Sequence, residues 1–65
     1  MKKIEFLRRK QNLTQDQLGD KLLYTRHTLS RLEAGKLGAD EVSPRLRRAV
    51  ESYFHEPIEQ LLADV

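Results

Sequence analysis

The chain has 65 residues, with 12 Lys plus Arg against 10 Asp plus Glu, two His, no Cys, no Trp and 38% apolar content. Domains of this size bury only roughly 60% of the surface their unfolded chain exposes, so they depend on a disulfide, a metal, a partner subunit or tight helix packing; lacking Cys, and with two His at no zinc-like spacing, this one is left with packing and pairing. A closed catalytic pocket of about 300 Å³ needs walls that so short a chain rarely supplies, which argues against an enzyme, and charged residues interrupt every apolar run before it reaches signal-peptide or membrane-spanning length, so the sequence reads as a soluble cytoplasmic protein.

Residues 2–11 place Ile4, Leu7 and Gln11 on one stripe at helical spacing, with Arg8 on its flank, and predict a first helix. Phe6 falls outside that stripe and is expected to pack under the last helix. The run Thr14-Gln15-Asp16-Gln17 has the form of a capping box, with Asp16 suited to the positive helix end, and it opens a second helix over about residues 15–22. Leu18 and Leu22 face inward there, and Gly19 lies on the edge of that face, where a missing side chain lets another helix come close. Thr25 is a good N-cap for a third helix over about residues 26–33, which Gly35 stops as its C′ residue. Ser43-Pro44 pairs an N-cap with a proline at the first helical position, and Leu46, Ala49, Val50, Tyr53 and Phe54 form the apolar face of a fourth helix over about residues 44–54. Pro57 starts a fifth, whose Ile58, Leu61, Leu62 and Val65 share a stripe. The expectation is one all-α domain over residues 1–65, built from five short helices.

Charge is unevenly distributed along this chain. Residues 1–36 carry nine basic and four acidic side chains, a net +5, whereas residues 37–65 carry three basic and six acidic, a net −3. A basic half joined to an acidic half suggests that a polyanion meets the first. Position on the third helix sharpens this. With Leu29 and Leu32 facing the core, His27, Ser30 and Arg31 stand opposite, flanked by Arg26 and Thr28. That face holds no carboxylate, whereas an ordinary solvated face mixes signs. Arg bridges guanine O6 and N7, and His, Ser and Thr donate or accept at base edges and phosphates.

The stretch from Leu13 to Lys36 resembles the helix-turn-helix of the phage Cro and repressor family, whose typical pattern runs LTQxxLAxxxGVSxxxISxxExG. The resemblance implies a compact five-helix, lambda-repressor-like domain in which the second and third helices form the DNA-binding unit. It assigns Leu18, Leu22, Tyr24, Leu29 and Leu32 to the apolar lock between those helices and Gly19 to their crossing. Gln15 matches a residue that contacts the DNA backbone and braces the recognition helix. Thr25, Arg26, His27, Thr28 and Arg31 match the start and outward face of that helix, with Ser30 joining them on the wheel, and Lys36 matches a basic position that touches phosphate. The resemblance also pairs Arg8 with Glu33. A carboxylate in the last turn of a helix opposes the helix dipole and needs a compensating cation, so a partly buried ion pair is expected to hold the first helix against the third, with Arg8 discounted as a DNA contact.

Two departures stand out. Where the family has Gly in the turn, this chain has Leu23, which must adopt positive φ at a cost of about 1 kcal/mol or more if the turn is retained. The loop Leu37–Val42 carries Asp40 and Glu41 where relatives often carry basic residues, so no DNA role transfers to it. Functionally the resemblance implies a small Cro-like repressor that binds a pseudo-palindromic operator in double-stranded DNA as a homodimer, associated with the nucleoid when bound. Phe54, Leu61 and Val65 are the candidates for the partner contact, the alternative for the stripe being that Ile58, Leu61 and Leu62 close the core of a single copy. No cofactor, metal, membrane or small-molecule ligand is expected. The alternative is a protein-binding helix-turn-helix module, such as an antitoxin that holds its toxin.

Overall fold

The computed structural model describes residues 1–65 and contains five helices: α1 (Lys3–Lys10), α2 (Gln15–Leu22), α3 (Arg26–Glu33), α4 (Pro44–Phe54) and α5 (Ile58–Leu61), with a 3-10 turn at Ala39–Glu41. Local chemistry sets most boundaries. Thr14 Oγ1 accepts from the Gln17 backbone N–H at 3.1 Å while the Gln17 side chain accepts from the Thr14 N–H at 2.8 Å, a complete capping box at the head of α2. Ser43 Oγ accepts from the Leu46 N–H at 3.2 Å, and Pro44 occupies the first position of α4, where its missing N–H costs nothing. At the end of α3, Gly35 takes φ +75°, and the Lys36 and Gly35 amides return to the carbonyls of Arg31 and Leu32, a Schellman closure.

Ten side chains form the core: Ile4, Leu18, Leu22, Leu29, Leu32, Val42, Leu46, Val50, Ile58 and Leu61. Every helix contributes to it, and each, at 4 to 11 residues, is too short to be stable by propensity alone. Full burial of each aliphatic side chain contributes about 1.5–3 kcal/mol relative to exposure. The tightest junction is α2 on α3, where a Cβ placed on Gly19 would stand 2.5 Å from the Tyr24 carbonyl oxygen. The close approach also lets the Tyr24 amide donate to the Gly19 carbonyl at 2.8 Å. Leu23, the first residue of the turn between the two helices, takes φ 61° and ψ 41°, the left-handed conformation that the turn demands.

Three expectations are corrected at the two ends of the molecule. Helix α5 has only four residues, because the segment after it leaves the helix to meet the N-terminal residues. The Lys3 amide donates to the Ala63 carbonyl at 2.8 Å, the Val65 amide to the Met1 carbonyl at 2.9 Å, and Lys2 faces Asp64 in an isolated antiparallel bridge. Val65 therefore does not continue the apolar stripe of α5, and its side chain is 63% exposed. Leu61 is fully buried in the core and is thereby spent within one copy of the chain instead of at a partner contact. Phe6 does not pack under α5: it lies on the outward side of α1 and is 46% exposed.

Candidate nucleic-acid interface

Glu33 is the point where three helices are tied together. Its Oε2 accepts from Arg8 Nε at 2.7 Å, and its Oε1 accepts from both Arg8 Nη2 and Gln15 Nε2 at 3.0 Å. The remaining Arg8 nitrogen, Nη1, donates to the Leu13 carbonyl at 2.7 Å. The side chains of Arg8 and Glu33 are only 10% and 5% exposed, so the pair is a fork-to-fork bridge held out of water. The hydrogen-bonded Glu33 carboxylate holds the Arg8 guanidinium above its ordinary pKa against the opposing effect of burial. This answers the dipole conflict at the end of α3 and removes Arg8 from the surface. It also gives Gln15 a structural partner, because its amide spans from the first turn of α2 to the last turn of α3.

With α3 fixed in this way, its outward face is open. Thr25, Arg26, His27, Ser30 and Arg31 are exposed, as is Lys36 just beyond the helix, whereas Thr28 is half-buried. Arg26, Arg31 and Lys36 make no ion pair; the carboxylates of Glu5, Glu33, Glu51, Glu56, Glu59 and Asp64 are engaged by Lys2, Lys3, Arg8, Arg9 and Arg47. Thr25 sits at the N-cap position with extended backbone, but its hydroxyl accepts no hydrogen bond from the first turn of α3. The expected side-chain cap is therefore absent, and that hydroxyl is free at the head of the helix. A shallow cleft lined by Thr14, Gln15, Asp16 and Arg26 brings the heads of α2 and α3 to one place. Arg26 is the one cation of that cleft and Asp16 its one carboxylate.

A Cro/C1-type helix-turn-helix family model matches residues 4–51, which span α1 to most of α4 and include every element of this face. The chain belongs to that helix-turn-helix family. Its general role is accordingly DNA binding in transcription regulation, and the family is not one normally built for catalysis. Neither curated proteins nor solved structures gave a match. No helix is long and apolar enough to cross a membrane.

Two contacts of this helix-turn-helix domain were not anticipated. Arg47 Nη2 donates to the Ala39 carbonyl at 3.0 Å, and its Nη1 lies 3.4 Å from Glu59, so one guanidinium ties the acidic loop to α4 and α5. Glu41 meanwhile folds back to accept from the Gly38 amide at 3.0 Å. The available signal was the position of Arg47 at the edge of the apolar face of α4, where a long cation reaches a neighbouring backbone. The second contact is Arg45, whose guanidinium lies 5.2 Å from the centroid of the Tyr24 ring.

Proposed function

We propose that residues 1–65 act as one Cro-like repressor domain that pairs with a second copy and places α3 in the major groove of a pseudo-palindromic operator. The observation that carries this reading is the outward face of α3: His27, Ser30 and Arg31, with Arg26 beside them, are exposed and free of carboxylate partners, on a helix braced from behind by Arg8, Glu33 and Gln15. Arg26 and Arg31 are the base readers in this assignment, and His27 and Ser30 supplement them. Gln15, Thr25 and Lys36 position the helix on phosphates, which fixes register without carrying sequence information. Thr28, half-buried, packs and contributes its hydroxyl at the margin.

Pairing follows from affinity. A single eight-residue recognition helix offers few base contacts, and two-fold pairing on half-sites about one helical turn apart multiplies them. Phe54, half-buried and edge-on to Tyr53 at 4.9 Å, and Val65 are the residues assigned to that contact once Leu61 is given to the core. Occupying a promoter is then sufficient for repression, at the nucleoid, with no cofactor.

Selection of bound duplexes from a random library tests the reading. The expected result is one enriched pseudo-palindrome whose affinity falls steeply with salt, log K dropping by about 0.9 for each phosphate neutralised per unit of log salt. Failure to enrich any site at low salt refutes it.

A further inference from the structure

Leu23 is the most exposed large apolar residue of the chain, at 76%, and it stands in a left-handed conformation that Gly would adopt without strain. A fold that needed only the turn has no use for this side chain. Leu23 lines an open groove of about 490 Å³ between the end of α2 and one side of α4, together with Lys21, Ala49, Tyr53 and His55. No carboxylate lines it. Lys21 makes no ion pair, and neither do Arg45 and Arg48, which precede Ala49 and Ser52 by one turn on the outward side of α4. The groove thus has an apolar floor and a cationic margin without counter-charge. It lies at the opposite end of α2 from Gln15, about 10 Å along the helix axis, and shares no lining residue with the cleft of Gln15 and Arg26.

We propose that this groove is a docking surface for another protein, and that it takes a short acidic segment carrying an apolar anchor. The two halves of the chemistry point to the same occupant. A cationic margin alone would suit a nucleic-acid backbone equally well, but a phosphate gains nothing from an exposed leucine and the ring of Tyr53. A peptide with Asp or Glu flanking Leu or Phe satisfies both: its apolar side chain covers Leu23 and Ala49, and its carboxylates meet Lys21, Arg45 and Arg48. The groove shares no lining residue with the cleft beside the recognition face, so the two surfaces can be probed by separate substitutions. Through it the regulator would recruit, or be held by, an acidic partner.

The test uses the full chain against a displayed library of random short peptides, with titration of the enriched peptides at increasing salt. Enrichment of acidic sequences with an apolar anchor is expected, with affinity reduced about tenfold or more by Leu23→Gly, the loss appropriate to one uncovered leucine. Leu23→Gly should leave the fold and the duplex affinity in place. Lys21→Glu with Arg48→Glu should abolish peptide binding and reverse the preference toward basic peptides. Any of three results overturns the proposal: no acidic enrichment, peptide affinity indifferent to Leu23→Gly, or loss of duplex affinity in the Lys21→Glu, Arg48→Glu variant, which would assign the groove to DNA phosphate. A concentration-dependent dimer that disappears on Leu23→Gly would assign it to a second copy and overturn it as well. Each is separable from failure of the operator assignment, which is read from duplex selection.

Discussion

Replacing Glu33 by Ala removes the one acceptor that α1, α2 and α3 share. The change leaves Arg8 Nε and Nη2 and the Gln15 amide without partners in a site where the Arg8 side chain is 10% exposed. Removing one member of a buried pair costs about 3–5 kcal/mol, because the remaining charge is desolvated and uncompensated. The lower end applies here, since Arg8 keeps its bond to the Leu13 carbonyl. At about 0.05–0.15 kcal/mol per residue, a chain of this length has a total stability of roughly 3–10 kcal/mol, so Glu33→Ala takes a third or more of it. The assay is urea unfolding followed by far-ultraviolet circular dichroism, extrapolated linearly to water. The Arg9 to Glu5 pair, 62% open on the arginine side, supplies the control from its exposed partner: Arg9→Ala should cost no more than about 0.5 kcal/mol. Arg8→Met combined with Glu33→Met should recover much of the loss, because apolar replacement of both partners removes the unpaired charge. A loss below about 1 kcal/mol for Glu33→Ala, or a double variant that loses the sum of its single changes, would refute the argument that burial makes this pair matter.

Gly19→Ala should destabilise the domain, measured by the same unfolding experiment, even though Ala gains about 1 kcal/mol of helix propensity over Gly; the added Cβ meets the Tyr24 carbonyl at 2.5 Å and must push α3 away. Ser43→Ala should cost about 1 kcal/mol by loss of the bond to the Leu46 amide. In duplex titrations, Arg31→Ala should cost about 1–3 kcal/mol on the selected site and relax its sequence preference. Gln15→Ala should weaken all duplexes alike and also lower the unfolding free energy, since its amide is bound to Glu33.

Where local chemistry decides, the sequence was legible to the residue. The Thr14 and Gln17 reciprocal pair, the Ser43-Pro44 start and the Gly35 stop place the limits of α2, α3 and α4, and each depends on atoms only a few positions apart. The Arg8 to Glu33 pair was legible by resemblance, and the dipole conflict at Glu33 supplied its physical reason. Non-local contacts were harder to read. The last helix looks four residues longer in its apolar spacing than it is, because nothing in Leu61-Leu62-Ala63-Asp64-Val65 announces that Lys3 and Met1 will compete for its backbone. Periodicity equally could not say which of Leu61, Leu62 and Val65 the core would claim, since all lie on one stripe and only three-dimensional closure separates them. The positive φ of Leu23 followed from the turn, but the groove beside it needed α4 in place.

The bridge between Lys2 and Asp64 also bears on the order in which the molecule assembles. The amide that opens α1 is satisfied by the carbonyl of Ala63, 60 positions along the chain. That contact closes over most of the described chain, whereas α2 and α3, joined by a three-residue turn, meet over a short one. The joining of Met1–Lys3 to Ala63–Val65 acts as a clasp set over a helix pair that local contacts already assemble.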